Sequence, residues 1–124
     1  MTTITIKDLA NADIALTKIN QDAYSGEFFK RVGNTEYRLK VRHLQETVKA
    51  GNPVMARHNV DLTVTVFSTD GTPPVVYQQY FVLRNPLSQP DVNSQYLSNG
   101  IRSLLEDSDI QKLLAWETDL VGLS

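Results

Sequence analysis

Residues 37–44, YRLKVRHL, alternate without a break: Tyr37, Leu39, Val41 and His43 fall on one side of an extended chain, and Arg38, Lys40 and Arg42 on the other. A second run, RHNVDLTVTVF at 57–67, repeats the pattern, with Val60, Leu62, Val64 and Val66 opposed to Asn59, Asp61, Thr63 and Thr65. A helix would scatter both sets around its circumference, so this period of two demands strands. KAGNP between the runs carries a turn signal. With the turn at Ala50 and Gly51, the apolar face pairs Val41 with Val60, Leu39 with Leu62 and Tyr37 with Val64. The polar face pairs Arg42 with Asn59, Lys40 with Asp61 and Arg38 with Thr63. A two-residue slip would exchange partners but preserve both faces.

The flanking segments extend this into a sheet. ITIKDLANADIALTKI predicts a small N-terminal hairpin around ANAD, and YSGEFFKRV leads through the turn signal GNT into the first alternating run. STDGTPP holds an Asp-Gly hairpin signal and two prolines before VVYQQYFVLR. On that strand Gln78, Tyr80 and Arg84 take the polar face, while Phe81 and Leu83 point to the core. Beyond Pro86 the period changes. Val92, Tyr96, Leu97, Ile101, Leu104 and Leu105 recur at helical spacing, with Pro90 in the first turn. A second helix follows in SDIQKLLAWETDL, where Ser108 and Gln111 have capping-box spacing. Its apolar contacts come from Ile110, Leu113, Leu114 and Trp116, the last read as a packing anchor. Strands followed by helices give an α+β fold in one domain, residues 1–124, with the helices over one sheet face.

Composition narrows the function. With 41% hydrophobic and 21% charged residues the chain has the make-up of a soluble globular protein. The absence of cysteine removes disulfides, thiolate metal sites and thiol nucleophiles. No basic stretch followed by an apolar run opens the chain, and no run of about 18 apolar residues occurs, so neither secretion by the usual signal nor a membrane span is expected. The net charge of −2 conceals a polarised distribution. From Lys30 to Arg57 seven cations stand against Glu36 and Glu46, whereas from Asp91 to Asp119 Arg102 and Lys112 stand against six carboxylates. The row Arg38, Lys40 and Arg42, joined by Arg57, is therefore either a solvated outer face or one side of a polyanion contact.

Catalytic chemistry finds little support. His43 and His58 lie opposite each other in the hairpin, but no third group converges on them, which favours a structural pair over a metal or general-base role. The glycines are isolated, so no phosphate loop is present, and no cofactor is expected. Glu106, Asp107 and Asp109 between the helices read as a solvated cluster in which Asp109 favours the second helix dipole. The alternative is a divalent-cation site shared with a neighbouring subunit, although the usual calcium-loop spacing is absent.

KINQDAYSGEFF, YRLKVRHLQETVKAG, RHNVDLTVTVF and LLAWETDL resemble, in order and over nearly the whole chain, the levivirus-type coat proteins of single-stranded RNA bacteriophages, above all that of a Caulobacter-infecting RNA phage. The resemblance implies an N-terminal hairpin (1–20), a five-stranded antiparallel sheet (21–86) and two C-terminal dimerisation helices (87–124). It implies a homodimer with one continuous sheet and interlocked helices, built into an icosahedral shell of quasi-equivalent subunits whose bare sheet face lines the interior. Genomic single-stranded RNA would then meet Arg38, Lys40, Arg42, Arg57, Asn59, Asp61, Thr63, Gln78 and Tyr80, with Tyr80 able to stack on an unpaired base. Asp61 departs from that chemistry, since a carboxylate repels phosphate unless Lys40 neutralises it or it reads a base amino group. Dimer contacts fall to Ile101, Leu104, Leu105, Ile110, Leu113, Leu114 and Trp116, and the loop at the capsid axes to Asp70, Gly71, Thr72 and Pro73. The implied location is the virion, assembled in the bacterial host cytoplasm, without membrane or small-molecule partners. Many relatives repress replicase translation through one RNA hairpin, a role the resemblance leaves open. The rival readings are a cellular dimeric regulator that binds single-stranded RNA, and an enzyme acting on a small anion near His43 and His58.

Overall fold

The alternating runs are realised as an antiparallel meander. The computed structural model describes residues 2–46, 51, 54–86 and 92–116. Strands β1 (Thr3–Lys7), β2 (Asp13–Gln21), β3 (Ser25–Val32), β4 (Thr35–Gln45), β5 (Met55–Val66) and β6 (Val75–Pro86) form one sheet in chain order. Helices α1 (Val92–Glu106) and α2 (Ser108–Leu114) follow. The chain divides into two compact units, Met1–Ser88 with the sheet and Gln89–Ser124 with the helices.

The strand count differs from the sequence expectation of a hairpin followed by five strands. The N-terminal hairpin is part of the sheet, because β2 pairs with β1 on one edge and with β3 on the other, giving six strands in all. A bulge between Lys18 and Asn20 leaves Ile19 outside the pairing; bulges bend a strand and increase its twist. Tight turns fix the connections. Asp8 accepts from the N–H groups of Ala10 and Ala12 at 2.8 and 2.9 Å, with Asn11 at φ 62°, a left-handed conformation asparagine tolerates. Gly33, at φ 58°, opens the two-residue turn from β3 to β4, the glycine-first pattern that suits hairpin twist.

The β4–β5 register is the one the alternation requires, pairing Val41 with Val60, Leu39 with Leu62, Tyr37 with Val64 and Lys40 with Asp61. Ala50 lies outside the described residues, and Gly51 takes φ 84°. On the apolar face Ile14, Leu16, Phe28, Tyr37, Leu39 and Val64 form the core, with Ile4, Ile6, Val41, Val60 and Leu62 packed against it. Leu16 has no exposed surface, and burying such a side chain contributes about 1.5–3 kcal/mol. The sheet curls over this core: the Leu9 N–H, in the β1–β2 turn, donates to the Tyr37 hydroxyl on β4 at 3.4 Å.

At β6 the core expectation is only half met. Phe81 and Leu83 share the apolar face, since they pair with Val60 and His58, but Phe81 remains 42% exposed. The reason is position: β6 is an edge strand, with β5 on one side only.

In the helical unit no described residue of α1 or α2 is buried. The N-cap of α2 is Asp107 rather than Ser108; its carboxylate accepts from the N–H groups of Asp109 and Ile110, and Gln111 donates to the Leu105 carbonyl instead of closing a capping box. Asp107 is thus engaged in a cap, and among the described residues no three His, Asp or Glu side chains gather as a cation site. Trp116, expected as a packing anchor, is 94% exposed and sits at φ 60° just past the α2 C-cap. Pro90 and Leu120 lie outside the described residues.

Candidate nucleic-acid interface

The face opposite the core carries every residue singled out for RNA. The register places Arg38, Lys40 and Arg42 of β4 beside Thr63, Asp61 and Asn59 of β5, and these beside Gln78, Tyr80 and Val82 of β6. Arg57 lies on the same face, opposite Leu44 and Arg84. Residues two apart on a strand are about 6.8 Å apart and neighbouring strands about 4.8 Å, so these side chains form one two-dimensional array.

The cations in it are not equivalent. Arg38 forms an ion pair with Glu27 of β3, and its guanidinium lies over the Phe29 ring at 4.9 Å from the centroid. Arg84 makes a two-point contact with Glu46, each bond 2.6 Å. The Arg84 hydrogen bond, with the charges of Arg84 and Arg57 behind it, holds the Glu46 carboxyl below its ordinary pKa, and Glu46 raises that of Arg84. This carboxylate also relieves the direct opposition of Arg57 and Arg84. Lys40, by contrast, makes no hydrogen bond or ion pair among the described residues, and is exposed. Arg42 makes no side-chain hydrogen bond or ion pair among the described residues, and Arg57 spends one donor on Asn59 Oδ1 at 3.3 Å. Lys40, Arg42 and Arg57 are therefore the cations with open coordination.

Asp61 stands opposite Lys40 in the register, as expected, but the two form no ion pair. Instead of pairing with Lys40, it accepts from the Thr63 hydroxyl at 3.0 Å and from Gln78 Nε2 at 2.9 Å. Both carboxylate oxygens are engaged, and the Gln78 amide oxygen keeps its acceptor capacity. Tyr80, paired with Asp61 across the strands, is 66% exposed.

Sequence reasoning missed Glu27 and Phe29. The register puts Ser25, Glu27, Phe29 and Arg31 on this face, but the adjacent pair Phe28 and Phe29 in GEFFKRV hides the parity of β3. Only the pairing with β4 reveals it. The loop from Phe67 to Pro74 is built around Asp70, which accepts from the Ser68 hydroxyl, from the Thr72 hydroxyl at 2.8 Å and from the Thr72 N–H at 3.1 Å. These bonds hold the Asp70 carboxyl down at about 2.

An antiparallel meander with one apolar and one polar face, followed by two C-terminal helices, defines the class: the coat-protein fold of RNA phages. The chain is similar to the virus-like particle of Beihai levi-like virus 21, with a TM-score of 0.76 and 21% identity over 98% of each chain. It is also similar to the bacteriophage EMS014 coat protein, at 0.62 and 22% over 87% of this chain and 76% of that one, and to the virus-like particle of bacteriophage ESE058, at 0.66 and 14% over 95% of each. No curated protein matches the chain. The family described as phage phiCb5 coat protein matches residues 1–86, and this chain belongs to that family. It is a capsid protein of the virion, structural rather than enzymatic.

Proposed function

We propose that this coat protein dimerises through β6 and the two helices, assembles into an icosahedral shell, and holds genomic single-stranded RNA on the polar face of its sheet. The observation that carries the RNA reading is the open set Lys40, Arg42 and Arg57 beside an exposed Tyr80, cations for phosphate and a ring for a base. The dimer reading is supported by β6, a twelve-residue edge strand with exposed Val75, Tyr77 and Phe81 on its apolar side. Such an edge invites pairing with another strand. A second β6 would extend the sheet, and the partner's α1 and α2 would bring Ile101, Leu104, Leu105, Ile110, Leu113, Leu114 and Trp116 to its apolar face. The loop at Asp70, Gly71, Thr72 and Pro73 would then face the symmetry axes. Repression of replicase translation through an RNA hairpin would use the same array, with Tyr80 and the Gln78 acceptor reading unpaired bases.

The test is the double variant Lys40→Ala, Arg42→Ala. Particles should form, with a lower ratio of absorbance at 260 nm to protein. The logarithmic salt slope of RNA binding should fall by roughly 1.4, at about 0.7 for each lost single-strand phosphate contact. Unchanged RNA content would remove the sheet face from the mechanism. Dimers without particles in the unaltered protein would favour an RNA-binding regulator over a shell.

A further inference from the structure

The register that pairs Val41 with Val60 also sets His43 of β4 directly opposite His58 of β5. Their Nδ1 atoms stand 2.5 Å apart, and the rings meet edge to face at 81° with centroids 4.7 Å apart. Two imidazole nitrogens this close share one hydrogen, and the third strand decides which ring supplies it. His58 Nε2 lies 3.0 Å from Asn85 Oδ1 on β6. An amide oxygen only accepts, so the neutral His58 carries its hydrogen on Nε2 and presents a bare Nδ1. His43 fills the gap with its own Nδ1–H.

A metal-ligating histidine is held in the same way: its far ring nitrogen donates to an oxygen, which fixes tautomer and orientation, and its near nitrogen is left free. We propose that His43 and His58 form a binding site for a divalent transition-metal ion of the zinc, nickel or copper class, held through both Nδ1 atoms, with Asn85 as a positioning residue. Imidazole selects these ions over calcium and magnesium, which take oxygen ligands. Metal–nitrogen bonds of about 2.0–2.1 Å at a tetrahedral angle set two ligand nitrogens about 3.3 Å apart, so the rings must open by roughly 0.8 Å. The exposed His43 can supply that by side-chain rotation, since His58 is anchored to Asn85. The hydrogen displaced from His43 Nδ1 is lost to water and replaced by one taken from water on Nε2, leaving both rings neutral. No third His, Asp or Glu joins the pair among the described residues. An open cavity of about 850 Å³, whose lining includes Asp22, Tyr24, Arg42 and Gln45 beside the two histidines, gives water access to the remaining positions. The site is thus an exchangeable clip between β4 and β5, in contrast to a closed four-ligand structural centre. The sequence reading set the metal role aside for want of a third converging group; β6 supplies the group that orients the second ligand.

The chain has two histidines and no cysteine, so imidazole coordination can come only from this pair. The experiment is electron paramagnetic resonance on untagged full-length protein given one equivalent of Cu²⁺. Splitting from two imidazole nitrogens is expected, and it should disappear in both His43→Gln and His58→Gln. Asn85→Ala should weaken Cu²⁺ binding by about 10- to 100-fold while keeping the two-nitrogen pattern. Oxygen-only coordination, or a two-nitrogen pattern that survives in either histidine variant, overturns the site, and an unchanged affinity in Asn85→Ala overturns the positioning role. Should His58→Gln fail to fold, His43→Gln, altered at the exposed ring, decides the question.

Discussion

β4 and β6 present tyrosine and large apolar residues to the same side of one sheet, yet they end in opposite environments. Tyr37 and Leu39 are 5% and 4% exposed, whereas Tyr77 and Phe81 are 55% and 42% exposed. Neighbours make the difference. β4 lies between β3 and β5, with the Leu9 turn bonded to Tyr37, while β6 has β5 alone. Side-chain pattern chooses a face; what covers that face is decided elsewhere, by another part of the chain for β4 and, in the proposed dimer, by a second chain for β6. The same contrast applies to the helices, whose described residues are all unburied. A monomer that leaves this much apolar surface in water is poorly placed to be stable alone.

The most severe break of this comparison is a charge placed where the partner is proposed to cover. Leu104→Asp or Leu113→Asp should abolish soluble dimer, as read by size exclusion with light scattering; a folded monomer of either variant would contradict the interlocked arrangement. Next comes the region the chain covers by itself. Leu16→Ala removes the one large side chain with no exposed surface among the described residues, and should cost about 2–5 kcal/mol in urea unfolding. A loss below 1 kcal/mol would mean that the hairpin is not packed on the sheet as described.

The polar face offers a finer comparison, between engaged and open cations. Arg38 is already paired with Glu27 and stacked on Phe29. Arg38→Ala should therefore lower the salt slope of RNA binding by less than Lys40→Ala, which should remove roughly 0.7. Equal effects in filter binding across a salt series would show that RNA strips Glu27 from Arg38 and that the row acts as one unit.

These contrasts also explain what could be read from the sequence. The β4–β5 faces and partners were legible because both strands alternate strictly and one turn joins them, so period and turn together fix the register. On β6 the expected faces hold, with Gln78, Tyr80 and Arg84 on the polar side and Phe81 and Leu83 on the other, although VVYQQYFVLR has apolar residues at both parities: Val76 and Val82 stand on the polar face, and Val75 and Tyr77 opposite them. The neutralisation of Arg38 was invisible because it depends on the parity of β3, which Phe28 and Phe29 leave ambiguous. The Asp61 bonds to Thr63 and Gln78 were missed for a related reason. Opposite charge pointed to Lys40, but in the fold the carboxylate is occupied by a near neighbour on its own strand and an amide from the next. At α2, Asp107 and Ser108 are both competent caps, and the sequence does not choose between them.

The smallest expected effect lies in the loop between β5 and β6. Asp70 has its carboxyl lowered from 3.8 to about 2, first by the Ser68 hydroxyl, then by the hydroxyl and N–H of Thr72. A folded-state pKa below the unfolded value contributes stability that is present above about pH 4 and is lost as pH falls through about 2. Asp70→Asn removes this contribution. The melting temperatures of the variant and the unaltered protein should therefore nearly coincide at pH 2 and separate by a small, constant amount above pH 4, the variant lying lower. The carboxyl is exposed, so solvent keeps the separation small. A difference that does not change between pH 2 and pH 5 would show that the loop is not held by this carboxylate. If shell assembly rebuilds this loop at the axes it is proposed to face, the pH dependence seen in dimers should shift toward the ordinary value in particles. Asp70 would then report whether the same eight residues hold one conformation or several.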